Sequence, residues 1–213
     1  MKPRRVKFFL IASGATAALA CSLWFPRVGA SFASSNSAGS AVASGSERID
    51  GPYFSDQDRI ADHIVAAMRA TRNSMDIAVY SLTERDIGSA IVAANRRGVR
   101  VRLVADEQQA LDSPSEINYL QSHGVPVRVS GGFNGERSLM HDKFAIFDGK
   151  LVETGSFNWT VSGEFYNFEN AIFILSPAVA ARYESEFQRL WKQAQARAQT
   201  SQPMQERRNR SLF

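Results

Sequence analysis

Cysteine is nearly absent from this chain: among 213 residues only Cys21 carries a thiol. Everything beyond it is therefore closed to disulfides and to thiolate zinc sites. Histidine is scarce as well, with His63, His123 and His141 the whole complement. Beyond residue 33 the only lysines are Lys143, Lys150 and Lys192. No cluster of carboxylates speaks for metal-dependent hydrolysis. Basic charge is missing where a nucleic-acid reading would look for it. The formal +4 lies in the ends, since residues 1–33 hold five basic and no acidic residues and 192–213 hold five basic and one acidic. The stretch 34–191 holds 15 basic and 20 acidic residues, a formal −5. Whole-chain charge thus gives no support to DNA binding, although Arg96, Arg97, Arg100, Arg102, Arg128 and Arg137 recur near expected strand ends and leave a local basic groove open.

What is present begins with an export-like N-terminus. Lys2, Arg4, Arg5 and Lys7 precede a mostly apolar run from Phe8 to Phe25, and Val28-Gly29-Ala30 or Ser31-Phe32-Ala33 offer small-residue cleavage sites. Residues 1–33 are expected to be a signal peptide or an N-terminal membrane anchor through residues 8–25, with lipidation at Cys21 a further alternative. The expected location is the periplasm or the outside of the cell. Residues 34–52 read as a Ser/Ala/Gly-rich linker, 53–195 as one folded domain, and 196–213 as a basic disordered tail.

Within the domain, apolar periodicity predicts helices over 58–71, 84–97, 112–123 and 177–195, the third ending at Gly124. Strands are expected at 74–82, 99–105, 125–130, 139–147, 151–154 and 168–175. The alternation of strand and helix argues for an α/β sandwich around a mixed, largely parallel sheet.

The most informative stretch is HDKFAIFDGKLVETGSFN, His141 to Asn158. His141, Lys143 and Asp148 form H-x-K-x4-D, and after six residues Gly155, Ser156 and Asn158 form G-S-x-N. On a strand, residues two apart share a face, so the imidazole and the ammonium stand side by side, a pairing suited to a phosphate ester.

This array closely resembles the HKD signature of the phospholipase D superfamily, and the likeness spans about Tyr53 to Trp191. Among single-motif members the chain is most similar to small secreted bacterial endonucleases and to cardiolipin hydrolase-like nucleases. The resemblance implies a phospholipase D-like α-β-α sandwich with one HKD motif per chain. It implies His141 as the nucleophile forming a phosphohistidine, with Lys143, Asn158 and Ser156 on the phosphoryl oxygens. Glu169 matches the acidic partner that orients the nucleophilic histidine, and Asp148 the motif aspartate, read as a brace for its loop. No metal and no cofactor are expected, because lysine, asparagine and paired histidines supply the positive field.

Phosphodiester cleavage also needs an acid for the leaving oxygen. His63, on a helix surface, and His123, at a helix C-terminus, are better read as structural. No second H-x-K exists in the chain. A homodimer whose two-fold axis brings two copies of His141 into one shared site is the expected solution, as the resemblance implies. Trp159 is expected in the core or rim, with base stacking the alternative, and Phe133, Asn134, Glu136 and Arg137 are expected to border the cleft. The leading expectation is an exported, metal-independent endonuclease acting on DNA or RNA. The alternatives are a phospholipase D or cardiolipin hydrolase acting on phospholipid, and a catalytically silent binding protein.

Overall fold

Apolar runs and their interruptions set the alternation of the first half. In the computed structural model, which describes residues 47–196 apart from 113 and 135–137, Ile60, Ile64, Val65 and Met68 form the buried face of α1 (Ile60–Ala70). β2 (Ser74–Val79) is buried along almost its whole length, as a central strand covered on both faces must be. α2 (Arg85–Arg96) and β3 (Arg100–Asp106) follow. The expected helix over 112–123 is in fact two short ones, α3 (Glu107–Leu111) and α4 (Ile117–Ser122). The Asp106 carboxylate starts the first by accepting from the backbone N–H of Gln108 and Gln109, and Pro114 stands between the two. Gly124, at φ +75°, closes α4 in the left-handed conformation that glycine adopts without steric cost.

β4 (Val127–Ser130), β5 (Lys143–Phe147), β6 (Leu151–Gly155), the short α5 (Val161–Phe165), β7 (Asn170–Leu175), α6 (Pro177–Gln193) and a two-residue β8 (Gln195–Ala196) complete the fold. The motif strand starts at Lys143 rather than Leu139, so His141 lies just outside its ladder. The linker expected to reach residue 52 ends earlier, because β1 (Arg48–Phe54) pairs antiparallel with β7. Its side chains are almost all exposed, so no hydrophobic alternation announced it; backbone pairing at a sheet edge holds it.

The strands run in the order β1-β7-β6-β5-β2-β3-β4-β8. The sheet is mixed, as expected, and its parallel pairing is concentrated in β2–β3–β4, while β1, β7, β6 and β5 join antiparallel. The reason lies in the connections: helices carry the chain from β2 to β3 and to β4, whereas β5–β6 needs only a turn. One core, including Ile64, Met68, Ile77, Ile91, Leu103 and Phe173, lies between the sheet and α1, α2 and α4. A second, built from Ala78, Val104, Phe144, Ile146, Val152 and the α6 residues Ala180, Phe187 and Leu190, covers the other face. The result is the α-β-α sandwich.

This topology delivers the site. β2 and β6 end, and β5 and β7 begin, at the same edge of the sheet. Residues at those four ends therefore meet although they are far apart in sequence.

Candidate active site

At that edge the Lys143 ammonium lies 3.1 Å from His141 Nδ1 and donates to the His141 carbonyl oxygen at 2.8 Å. Lys143 is buried, with 8% of its surface exposed, and among the described residues its ammonium forms no ion pair. Burial pulls its pKa below the ordinary lysine range, partly opposed by the negative charges of Glu169 and Asp142. The His141 ring is exposed and rests against Tyr80, with ring centroids 4.5 Å apart. Tyr80 also lies under the Lys143 ammonium, at 5.1 Å from ring centre to nitrogen. Sequence reading missed this tyrosine. It follows β2 directly, and the pairing of Val79 with Lys143 brings it beside the motif; inter-strand register is not written in local sequence.

Ser156, just past β6, donates its hydroxyl to Glu169 Oε2 at 2.6 Å and accepts from the Asn170 backbone N–H at 3.0 Å. The Ser156 hydroxyl thus holds Glu169 in place. The close approach of β6 to β7 makes this possible. A Cβ on Gly155 would stand 2.1 Å from the Asn170 carbonyl oxygen, so only glycine fits. Nδ1 of His141 takes Lys143 as its neighbour; among the described residues no hydrogen bond joins it to Glu169, which acts on Lys143 through its charge. Asn158 keeps a buried Oδ1 that has no hydrogen-bond partner among the described residues.

Asp148, grouped with the catalytic residues by its place in the motif, lies at the far end of β5. Its carboxylate accepts from the backbone N–H groups of Arg72, Asn73 and Ser74. Burial works against its charge, but these donors outweigh it and hold the pKa below the usual carboxylate range. It braces the start of β2 and touches no other site residue.

Trp159 is fully buried in the core, which removes it as a stacking platform. Its Nε1 faces the carboxyl of Glu153, a fully buried residue of β6; the two are near enough for the indole to favour the carboxylate, but no aligned hydrogen bond forms. Burial lifts the Glu153 pKa to about 8. His63 stacks on Tyr53, and His123 contacts the Tyr119 carbonyl oxygen at the end of α4, so neither is near His141. Two clefts meet at His141. One, of about 350 Å3, runs past Lys143 and Thr154 to Arg182 and Tyr183 of α6. The other, of about 310 Å3, runs past Met140 to Phe133 and Arg189. Asp142 borders both. Glu136 and Arg137 lie outside the described residues, as do the N-terminal segment with Cys21, residues 34–46 and the tail from 197.

A buried, unpaired ammonium beside an exposed imidazole, on an α-β-α sandwich and backed by an asparagine and a serine-held carboxylate, is the construction of a phosphodiesterase site of the phospholipase D type. Residues 63–191 match the family model described as "Cardiolipin synthase, PLD-like domain", and the chain belongs to that family. It is 35% identical over 133 residues to a mitochondrial cardiolipin hydrolase of Chlamydomonas reinhardtii, covering 62% of this chain and 56% of that protein. It is 36% identical over 132 residues to the one from Xenopus tropicalis, covering 61% and 60%. The chain thus spans somewhat over half the length of these curated relatives. Nuc of Salmonella typhimurium, a phospholipase D family member of known structure, aligns at 33% identity and a TM-score of 0.62, over 71% of this chain and 97% of that one. NucT of Helicobacter pylori aligns at 24% identity and a TM-score of 0.67, over 71% and 100%, and supports the fold.

Proposed function

We propose that this domain hydrolyses phosphodiester bonds in nucleic acid, without a metal ion, through a covalent phosphohistidine. The observation that carries the reading is Lys143: a buried ammonium that forms no ion pair among the described residues can receive an anion. An arriving phosphate takes Lys143 away from His141 Nδ1; the proton of the neutral ring then moves to Nδ1, where it is hydrogen-bonded to Glu169, and the other nitrogen, freed of it, turns to phosphorus. Lys143 and the Asn158 side-chain amide bind the non-bridging oxygens as charge gathers there.

In the first displacement the His141 nitrogen bonds to phosphorus, the bond to the leaving alkoxide breaks, and that oxygen takes a proton from His141 of a second copy. In the second, water attacks phosphorus, its proton returns to that histidine, and the phosphorus–nitrogen bond breaks. The net change is one phosphodiester and one water to a phosphomonoester and an alcohol. The second histidine makes a homodimer with a shared site part of the proposal, because His63 and His123 stand elsewhere. The N-terminal segment supports export to the periplasm or cell surface.

Phospholipid is the second reading, favoured by the cardiolipin hydrolase relatives. A silent binding protein is disfavoured because each polar position of the motif is filled. The test incubates the full chain with plasmid, single-stranded DNA, RNA and cardiolipin vesicles in the presence of EDTA, beside His141→Ala. Cleavage of nucleic acid that survives EDTA and vanishes in His141→Ala is expected. Activity that EDTA abolishes, or that His141→Ala retains, overturns the mechanism, and cleavage of cardiolipin alone selects the second reading.

A further inference from the structure

Three aromatic rings that the fold does not bury stand in solvent on the segment that leads into Glu169. Phe165 is 54% exposed, Tyr166 81% and Phe168 89%. Aromatic side chains of this size are normally covered, so three within four residues mark a surface that meets something. They occupy the connection from α5 to β7. That places them at the edge of the sheet that carries His141 and Lys143, with Phe168 adjoining Glu169 in the chain.

The segment is held rather than loose. Ser55 donates its hydroxyl to the Asn167 carbonyl oxygen at 2.6 Å, and its hydroxyl accepts from the Glu169 N–H at 2.9 Å. The N–H groups of Tyr166 and Asn167 both donate to the Ser162 carbonyl oxygen. The Arg59 guanidinium lies 4.9 Å from the centre of the Phe165 ring. The rings are therefore presented on a pinned backbone, and little conformational freedom remains to be lost when a flat partner stacks on them.

We propose that Tyr166 and Phe168, with Phe165 beside them, form a stacking lip for the unpaired nucleobases that flank the scissile phosphate, and that the lip makes the enzyme select single strands. The inference rests on the phosphodiesterase reading and names the substrate form of the same site. In a polynucleotide each phosphate carries a base within about one nucleotide, and base–aromatic stacking tolerates any sequence because every base has a π-face. An anionic lipid surface fits the lip poorly. Residues 161–170 contain Glu164 and Glu169 and no lysine or arginine, and the Arg59 guanidinium beside Phe165 is paired with Glu164, whereas attachment to anionic membranes uses aromatic and free basic residues together. In a duplex the bases are stacked on one another and unavailable to the lip.

The experiment uses the full chain and two short fluorescent single strands of one length, an oligothymidylate and its abasic counterpart, with the oligothymidylate also presented as a duplex. The wild type is expected to cleave the base-bearing single strand with a kcat/KM about tenfold or more above the abasic strand, the range that one stacked base supplies. Tyr166→Ala combined with Phe168→Ala is expected to erase that ratio, chiefly through KM, while cleavage of the abasic strand stays at the wild-type rate. Phe168→Trp is expected to keep it. Binding of both strands to His141→Ala, by fluorescence anisotropy, reads the lip without catalysis. A protein that cleaves neither strand but binds the base-bearing one more tightly through the lip upholds this proposal and overturns the phosphodiesterase reading. Equal binding of the two strands overturns the lip. So does a double variant that loses both strands alike, one that falls to monomers by sedimentation, or one impaired only on cardiolipin vesicles.

Discussion

The ammonium of Lys143 stands 3.1 Å from Nδ1 of His141 and is bonded to the same residue's carbonyl oxygen. An ammonium has no acceptor, so in this arrangement the imidazole nitrogen accepts and the other ring nitrogen carries the proton of the neutral form. In the proposed reaction this tautomer becomes reactive only when a phosphate competes for the lysine.

The proposed mechanism makes activity depend on a cation whose pKa burial has lowered. The working form is the protonated one, so kcat/KM is expected to fall as pH rises through that lowered value, earlier than an ordinary lysine would titrate. Lys143→Ala is expected to lose about 100-fold or more in kcat, the scale of removing one donor from a developing charge. A pH–rate profile of wild type beside Lys143→Arg checks the assignment, since a guanidinium stays charged and should remove the lysine's alkaline limb from whatever activity remains.

The proposed shared site, with a copy of His141 from each subunit, makes the subunits interdependent. Refolding wild type with a growing excess of His141→Ala is expected to depress activity more steeply than dilution alone, because each mixed dimer lacks one histidine. A linear fall in the mixing curve would mean that each chain works by itself.

Gly155 sits where β6 and β7 come closest. Gly155→Ala puts a methyl group against the Asn170 carbonyl oxygen, and relieving that clash drives Ser156 away from Glu169. A loss of roughly 1–3 kcal/mol is expected from forcing the strands apart. Urea unfolding measures the stability, and kcat on the folded fraction is expected to fall as well.

Asp148 matters at the acid end of the pH scale, as Lys143 does at the alkaline end. Its folded pKa is depressed, so its contribution to stability is present above the unfolded carboxylate value and is lost as pH falls through the folded one. Asp148→Ala is expected to cost roughly 1–3 kcal/mol at neutral pH, the scale of leaving backbone donors unmatched. Urea midpoints measured down into acid should show the gap between wild type and variant closing.

Glu153 is the reverse case. With its pKa lifted to about 8, the folded protein keeps a proton that the unfolded chain releases at ordinary carboxylate pH. Stability is therefore expected to decline between the ordinary carboxylate range and about 8, and the residue to cost on the order of a few kcal/mol at neutral pH. Glu153→Gln should flatten the decline and raise the melting temperature at pH 7, which calorimetry over that range would record.

Much of the fold was legible because its signals are local. The apolar face of α1, the arginine-studded alternation of β3 and the glycine closing α4 depend on neighbours in sequence. β1 and α5 escaped for the same reason. β1 is nearly all exposed and is held by backbone pairing with β7. α5 is five residues long and is started by the Thr160 hydroxyl accepting from the Gly163 N–H. Neither leaves a hydrophobic period to read.

The site divides along the same line. The sequence alone determined its chemical inventory: an imidazole, one lysine two residues on, the glycine-serine-asparagine turn, an acid at Glu169, and no second motif to complete the reaction. Covalent spacing along one strand–turn–strand segment is enough for that. Only the tertiary structure decided how those groups are used. Register across β2, β5, β6 and β7 put Tyr80 under the His141–Lys143 pair, tied Ser156 to Glu169 and sent Asp148 to the opposite end of its strand. It also left the rings of Phe165, Tyr166 and Phe168 in solvent at the same edge. Such pairings join residues tens of positions apart, and their free energy belongs to the packed sheet rather than to any one segment.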